Sequence, residues 1–141
     1  MKNSILFAIS FLAMLSLKSQ TVNITVSIAN VSSDKGVIRL YLFDKAEAFP
    51  DKINLAIKAA SAKAIKGTQQ IKIEGVMPGN YAIAIVHDEN NDGKLNANLI
   101  GIPKEPTGAS NGAVGKMGPP KFKDAVLPIS AATKNFAIKL L

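Results

Sequence analysis

The sequence predicts an all-β fold: a single antiparallel β-sandwich of about seven strands with one long Gly/Pro-rich loop. Three observations point to it. Residues 21–31, TVNITVSIANV, alternate apolar and polar side chains with the period of a half-buried strand. Residues 80–87, NYAIAIVH, are apolar on both faces, as an inner strand covered on two sides requires. Short segments of this kind recur along the chain, separated by turns rich in Gly, Pro, Asn and Asp.

Composition narrows the class further. The chain has 141 residues, 48% of them hydrophobic, with no Cys and a formal charge of +7. This length suits one domain. The absence of Cys excludes disulfides, thiolate metal sites and a Cys nucleophile. The basic residues are dispersed lysines, and Arg39 is the sole arginine. Nucleic-acid recognition leans on clustered Lys and Arg, so no nucleic-acid partner is expected.

Residues 1–19 follow the layout of a secretory signal peptide. Lys2 precedes an apolar run over residues 5–15, and the stretch closes on small and polar residues. A run of about eleven apolar residues is too short for a typical spanning helix. The expectation is cleavage after Ser19, a domain over residues 20–141, no stable membrane span after cleavage, and a secreted or periplasmic location. The mature chain would then have 122 residues and a charge of +5.

The elements follow in order. Residues 21–31 place Val22, Ile24, Val26 and Ile28 on one face. Residues 32–36 form a turn by composition, and residues 36–43 alternate again, with Ile38, Leu40 and Leu42 opposite Val37, Arg39, Tyr41 and Phe43. Together the two strands read as a hairpin. After a polar connection, residues 53–64 read as a short strand and then a turn, although their Ala content also suits a helix. Residues 69–73 are a clearer strand, and residues 80–87 are the inner one. Residues 88–124 then lose periodicity for 37 positions, with six Gly and four Pro. A loop of that length is uncommon in a compact domain unless it is functional or disordered. Residues 125–129 and 135–140 supply the last two strands.

The long loop opens on the chain's sharpest motif. Asp88, Asn90 and Asp92 stand at alternate positions and Gly93 follows at once. This is the first half of an EF-hand calcium loop, D-x-[DN]-x-[DN]-G. A hard cation takes six to eight oxygens, which a curling chain offers from every second side chain, and Gly permits the sharp bend. The carbonyl of Lys94 and the side chain of Asn96 would continue the set. Position twelve, usually a bidentate Glu, is Leu99, and a strand rather than a helix enters the loop. Glu105 and Asp124, and less directly Asn98, are the residues left to complete a Ca²⁺ site. Losing the bidentate ligand predicts weak affinity, roughly 10⁻⁴–10⁻³ M. The competing reading is a plain Asx-rich turn. His87 is the only histidine; it is expected to end its strand on a loop carbonyl, since neighbouring strand residues face opposite ways.

Several motifs together resemble one family. They are Gly36-Val37-Ile38-Arg39-Leu40 with Leu42-Phe43-Asp44, Ala48-Phe49-Pro50, Pro78-Gly79-Asn80-Tyr81-Ala82, and the stretch from His87 through Leu95. Gly101-Ile102-Pro103-Lys104-Glu105-Pro106, Ser110-Asn111 and Gly118-Pro119-Pro120-Lys121-Phe122-Lys123-Asp124-Ala125 continue the series. Their order resembles DUF2141, a family of exported bacterial proteins of unknown function, over residues 22–140. The resemblance implies one secreted β-sandwich, similar to transthyretin-like (prealbumin-like), Ig-like or carboxypeptidase-regulatory-like modules, and no established activity. Two departures stand out. The family's G-x-G-F-S-N lacks its Phe in Gly108-Ala109-Ser110-Asn111, and Asn96 stands where the family often has Asp.

These readings lead to an exported, monomeric, non-enzymatic binding or accessory module with an unknown envelope or extracellular ligand. A cation would order residues 88–124. One alternative is a metal-assisted hydrolase using His87 with Asp88, Glu105 or Asp124. Another is a structural or adhesive envelope protein contacted along a strand edge.

Overall fold

β1 (Val22–Val31) buries Ile24, Val26 and Ile28 completely, the face that the alternation marks as apolar. The computed structural model describes residues 20–141; the expected signal peptide, residues 1–19, lies outside the described residues. The remaining strands are β2 (Val37–Phe43), β3 (Lys58–Lys63), β4 (Gly67–Val76), β5 (Gly79–Asp88), β6 (Thr107–Ala109), β7 (Leu127–Ile129) and β8 (Asn135–Lys139). They form two sheets, one ordered β4-β1-β8 and the other β3-β2-β5-β6, with β7 also on β5. The all-β sandwich is as expected, with one parallel pair, β1–β8, among otherwise antiparallel neighbours.

The expected hairpin of the first two strands is not formed. β1 pairs with β4 and β8, whereas β2 pairs with β3 and β5. The two strands lie in opposite sheets and meet face to face through Ile24, Val26 and Ile28 and through Ile38, Leu40 and Leu42, all in one core. Alternation identifies which face is apolar but not whether that face lies beside or across from its neighbour. The turn over residues 32–36 crosses between layers, and Gly36 makes the crossing possible. Its φ is 66°, and a Cβ there would overlap the Asp88 carbonyl oxygen.

Residues 53–64 also depart in detail. A 3-10 turn occupies Ile53–Leu55, and the strand begins only at Lys58. Leu55 and Ile57 remain exposed, because no strand lies beside them to use their alternation.

β5 is buried from Tyr81 to Asp88 on both faces. Its inner face, Tyr81, Ile83 and Ile85, joins the sandwich core. Its outer face, Ala82 and Ala84, is covered by a second cluster with Phe43, Ala48, Phe49, Ala109 and Ala125. Phe49 contacts Phe43 and Phe122 edge-on, with centroids 5.6 and 6.0 Å apart.

The stretch after β5 carries more structure than its composition suggests. β6 pairs with β5 at Ala84–Val86, and β7 pairs further along the same edge at Gly79–Tyr81. Between them the chain makes a 3-10 turn (Ser110–Gly112) and one helical turn, α1 (Phe122–Ala125), which lie over the sheet's outer face. The segment left without strand or helix after β5 is therefore residues 89–106. β6 is only Thr-Gly-Ala and has no readable period. Gly108 allows it to lie close to β8, where a Cβ would come within 2.8 Å of the Lys139 carbonyl oxygen.

Ser110 pins this excursion. It is fully buried, its Oγ accepts the Ile83 N–H at 2.9 Å and donates to the Ala125 carbonyl at 2.5 Å. Removing the hydroxyl leaves the Ile83 N–H buried without its side-chain acceptor. Ser110→Ala is expected to lower unfolding stability by about 1–3 kcal/mol, read from urea denaturation.

Candidate functional site

The Asp88 carboxylate stands at the end of β5 and is fully buried. Its partner is Arg39 on β2. Val37 pairs with Asp88 and Arg39 with Val86, so Arg39 and Asp88 are diagonal neighbours on one face of the sheet. Arg39 Nε donates to Asp88 Oδ2 at 2.6 Å, and a second guanidinium nitrogen donates to Asn91 Oδ1 at 2.9 Å. The chain then curls back over the carboxylate. Asp88 Oδ1 accepts the Asp92 N–H at 3.2 Å and Oδ2 accepts the Gly93 N–H at 3.0 Å. Asn91 and Gly93 take φ values of 55° and 72°, which this tight curl requires.

Asn90, Asp92 and Asn96 form the next layer. The Asn90 and Asn96 amides donate to Asp92 Oδ2 at 3.0 and 2.9 Å, while Asp92 Oδ1 accepts the Lys94 N–H at 2.9 Å. Asn90 Oδ1 accepts the Asp92 N–H at 3.1 Å. These bonds, mainly those from Asn96 and the Lys94 amide, hold the Asp92 carboxyl below its ordinary range. For Asp88, burial pushes upward most strongly, but the Arg39 bond and the Gly93 and Asp92 amides together outweigh it, and its pKa is lowered.

Glu105 returns to the same place from the far end of the loop. Burial pushes its pKa up, as do the charges of Asp88 and Asp92, while the Asn96 side chain and the Glu89 N–H pull the other way. Its Oε2 is buried with no hydrogen-bond partner. The Asp88 and Asp92 charges thus oppose ionisation of Glu105, while Arg39 bonds Asp88 and the Lys94 charge acts on Asp92. Among the described residues, however, no three His, Cys, Asp or Glu side chains are drawn together into a ready metal-ligating group. A cation here would also need the Asn90 and Asn96 oxygens and the Lys94 carbonyl, together with some opening of the hydrogen bonds that now fill the loop.

The structure separates the remaining candidate. Asp124 belongs to α1, which leads directly into β7, and β7 pairs with the beginning of β5 rather than its Asp88 end. There Asp124 lines a surface hollow of about 660 Å³ with Lys116, Lys121 and Lys123. The grouping of seven ligands expected from sequence is therefore brought together only in part. Asp88 ends β5, Asn90, Asp92, Lys94, Asn96 and Glu105 lie in the loop that follows it, and Asp124 lies elsewhere.

His87 faces the opposite side of β5 from Asp88. Its ring is fully buried, with Nε2 donating to the Lys35 carbonyl at 2.9 Å and Nδ1 3.2 Å from Ser32 Oγ. Glu89 accepts from Ser32 and Ser33 at 3.1 and 2.8 Å, bonds that lower its pKa, and its carboxylate is 3.9 Å from His87 Nδ1. The imidazole thus ties the turn over residues 32–36 to the strand end. It points to the opposite side of the strand from Asp88, whereas the hydrolase arrangement needs the two converged.

Arg39 is the functional residue that sequence reasoning missed. Its signal was present: it is the only arginine, set on a strand whose same-face neighbours are Val37 and Tyr41. Only the β2–β5 register shows that it reaches Asp88.

These features define an all-β sandwich whose inner strand ends in a buried, arginine-paired aspartate and an Asx-rich loop. The chain belongs to the family described as an uncharacterized protein conserved in bacteria (DUF2141), whose family model matches residues 26–137. No curated protein and no solved structure matches the chain.

The Arg39–Asp88 pair has a definite pH signature. Because Asp88's folded pKa is depressed, its contribution is present above the ordinary value of 3.8 and is lost as pH falls through the depressed one. Arg39→Met is expected to cost about 1–3 kcal/mol at neutral pH, with the deficit shrinking in acid. Urea denaturation of both proteins across pH checks it.

Proposed function

We propose that the protein is an exported, non-catalytic binding or accessory module of the bacterial envelope, whose 88–105 loop is fastened by a weakly held calcium ion. The observation that carries the cation reading is the partnerless Glu105 Oε2, buried beside the Asp88 and Asp92 carboxylates. A dication offsets the repulsion of Glu105 by Asp88 and Asp92 and supplies the missing partner to Glu105 Oε2. The leader pattern of residues 1–19 supports export. The non-catalytic reading is supported by the burial of the sole histidine and the engagement of both its ring nitrogens.

Affinity is expected to be low, roughly 10⁻⁴–10⁻³ M, because Leu99 replaces the usual bidentate ligand and Arg39 competes for Asp88. At about 10 mM Ca²⁺ and a dissociation constant of about 1 mM, linkage predicts about 1.4 kcal/mol of added stability. That is a rise of roughly 3–6 °C in melting temperature for a domain of this size.

Glu105→Gln separates the cation effect from simple packing. Glu105's pKa is raised, so its contribution to stability is present at acidic pH and is lost as pH rises through the raised value. In chelator at neutral pH, the Gln variant should therefore melt at or above the wild-type temperature. With Ca²⁺ it should lose most of the increment, as should Asp92→Ala. Equal melting temperatures for the wild-type protein in chelator and in about 10 mM Ca²⁺ would sink the cation reading.

A further inference from the structure

The loop that carries the candidate cation site also projects a second feature, which does not depend on that site. Residues 96–104 form a two-armed finger. Ala97 and Pro103 bridge its arms, the Lys104 N–H donates to the Asn96 carbonyl at 2.9 Å, and the Asn98 N–H donates to the Ile102 carbonyl at 2.8 Å. The tip turns over residues 98–101, where the Gly101 N–H donates to the Asn98 carbonyl at 3.0 Å and Gly101 has a φ of 81°. Asn98 Oδ1 accepts the Ile100 and Ile102 N–H groups at 3.1 and 2.9 Å. The finger therefore satisfies the N–H groups of Asn98, Ile100, Gly101 and Ile102 from within itself.

Those internal bonds present three large aliphatic side chains outward. Leu99 is fully exposed, Ile100 is 79% exposed and Ile102 54%. Lys94 and Lys104 stand exposed at the base of the arms, and residues 93–104 contain no acidic side chain. Of the neighbouring acidic residues, Asp88 is buried against Arg39 and Glu105 is partly buried, while Glu89 and Asp92 are exposed, with Glu89 held by Ser32 and Ser33 and Asp92 by Asn90, Asn96 and the Lys94 N–H.

We infer that this finger docks the protein on an anionic lipid surface, with Leu99 and Ile100 entering the acyl boundary and Lys94 and Lys104 meeting the headgroups. The layering matches the bilayer interface: an apolar tip, then two exposed lysines at its base. A segment entering a medium without water must satisfy its own backbone donors, and this tip already does so for the four named. The formal charge of +5 over residues 20–141 adds long-range attraction to an anionic bilayer.

The test uses residues 20–141, which hold every strand of the sandwich and omit the apolar leader that would bind lipid by itself. The chain has no Trp, so Leu99→Trp is a silent-background reporter. Its emission should shift blue on vesicles containing phosphatidylglycerol, in chelator as well as in Ca²⁺, and should not shift on phosphatidylcholine alone. In co-sedimentation, Leu99→Ser with Ile100→Ser should lower partitioning onto the anionic vesicles at least about tenfold. Both side chains are exposed, so circular dichroism should be unchanged. Met117→Ser, at the other fully exposed apolar position, should bind like the wild type.

Three results would overturn the inference. One is an unshifted reporter on anionic vesicles. Another is loss of binding in Met117→Ser rather than in the double variant. The third is a blue shift without lipid that grows with protein concentration, which would assign the finger to self-association. Calcium titration of the same reporter's melting temperature reads the cation site separately, so either idea can fail without the other.

Discussion

The buried Asp88 carboxylate is the joint between the sandwich and its loop. It ends β5, the strand covered on both faces, and therefore cannot move without disturbing two packed layers. A buried ionised carboxylate needs a counter-charge and donors for its lone pairs. Arg39 supplies the charge, and the Asp92 and Gly93 amides supply donors by folding the chain back on itself. The direction in which the loop leaves the sheet is thus set by the solvation demand of one side chain. The turn over residues 32–36 is pressed against the same point, with Gly36 under the Asp88 carbonyl and His87 bonded to Lys35.

The two faces of β5 explain why the chain wanders between β6 and β7. An antiparallel sheet with one face exposed needs no cover there. Here the outer face carries Phe43, Ala82 and Ala84, which require burial. The small alanines let the backbone of the excursion lie close, and Phe49 and Phe122 fill the remaining width. Ser110 then replaces the missing ladder between β6 and β7 by bonding Ile83 on one side and Ala125 on the other. The Gly and Pro content of this region signals irregular backbone, and the irregularity serves as a lid over a second small core.

What was legible in the sequence follows from how each element is stabilised. β1, β2 and β5 are read easily because two-residue alternation, or its absence on a doubly buried strand, is written in their own side chains. β7 falls inside the strand read over residues 125–129, whereas β6 is three residues and exists because β5 offers it a free edge, information that lies far away in the chain. The misread β1–β2 hairpin has the same origin, since local pattern does not encode which layer a strand joins. In the loop, the Asp88, Asn90, Asp92 and Gly93 spacing identified the curl and its acidic lining. Arg39, 49 positions away, and the separation of Asp124 emerged only from sheet register.

The same loop shows why a calcium-type spacing can persist where a full calcium site does not. Every second residue turned toward one centre suits a cation, and it equally suits backbone amides collected by carboxylates. Asp88, Asn90 and Asp92 accept from the Asp92, Gly93 and Lys94 amides, so the curl can hold its shape through its own hydrogen bonds. Glu105 breaks this self-sufficiency. It returns to a region already holding two ionised carboxylates and leaves one oxygen without a partner. Such a group has two ways to lower its energy: take up a proton, or share a cation. The first operates in acid, and the second is the physical ground for the proposal of calcium at neutral pH. Either way the tension sits at the base of the loop, while the apolar finger beyond it is held by Asn98 and the Ala97–Pro103 bridge. Ordering the base and presenting the tip are therefore separable tasks within one 18-residue segment, residues 89–106.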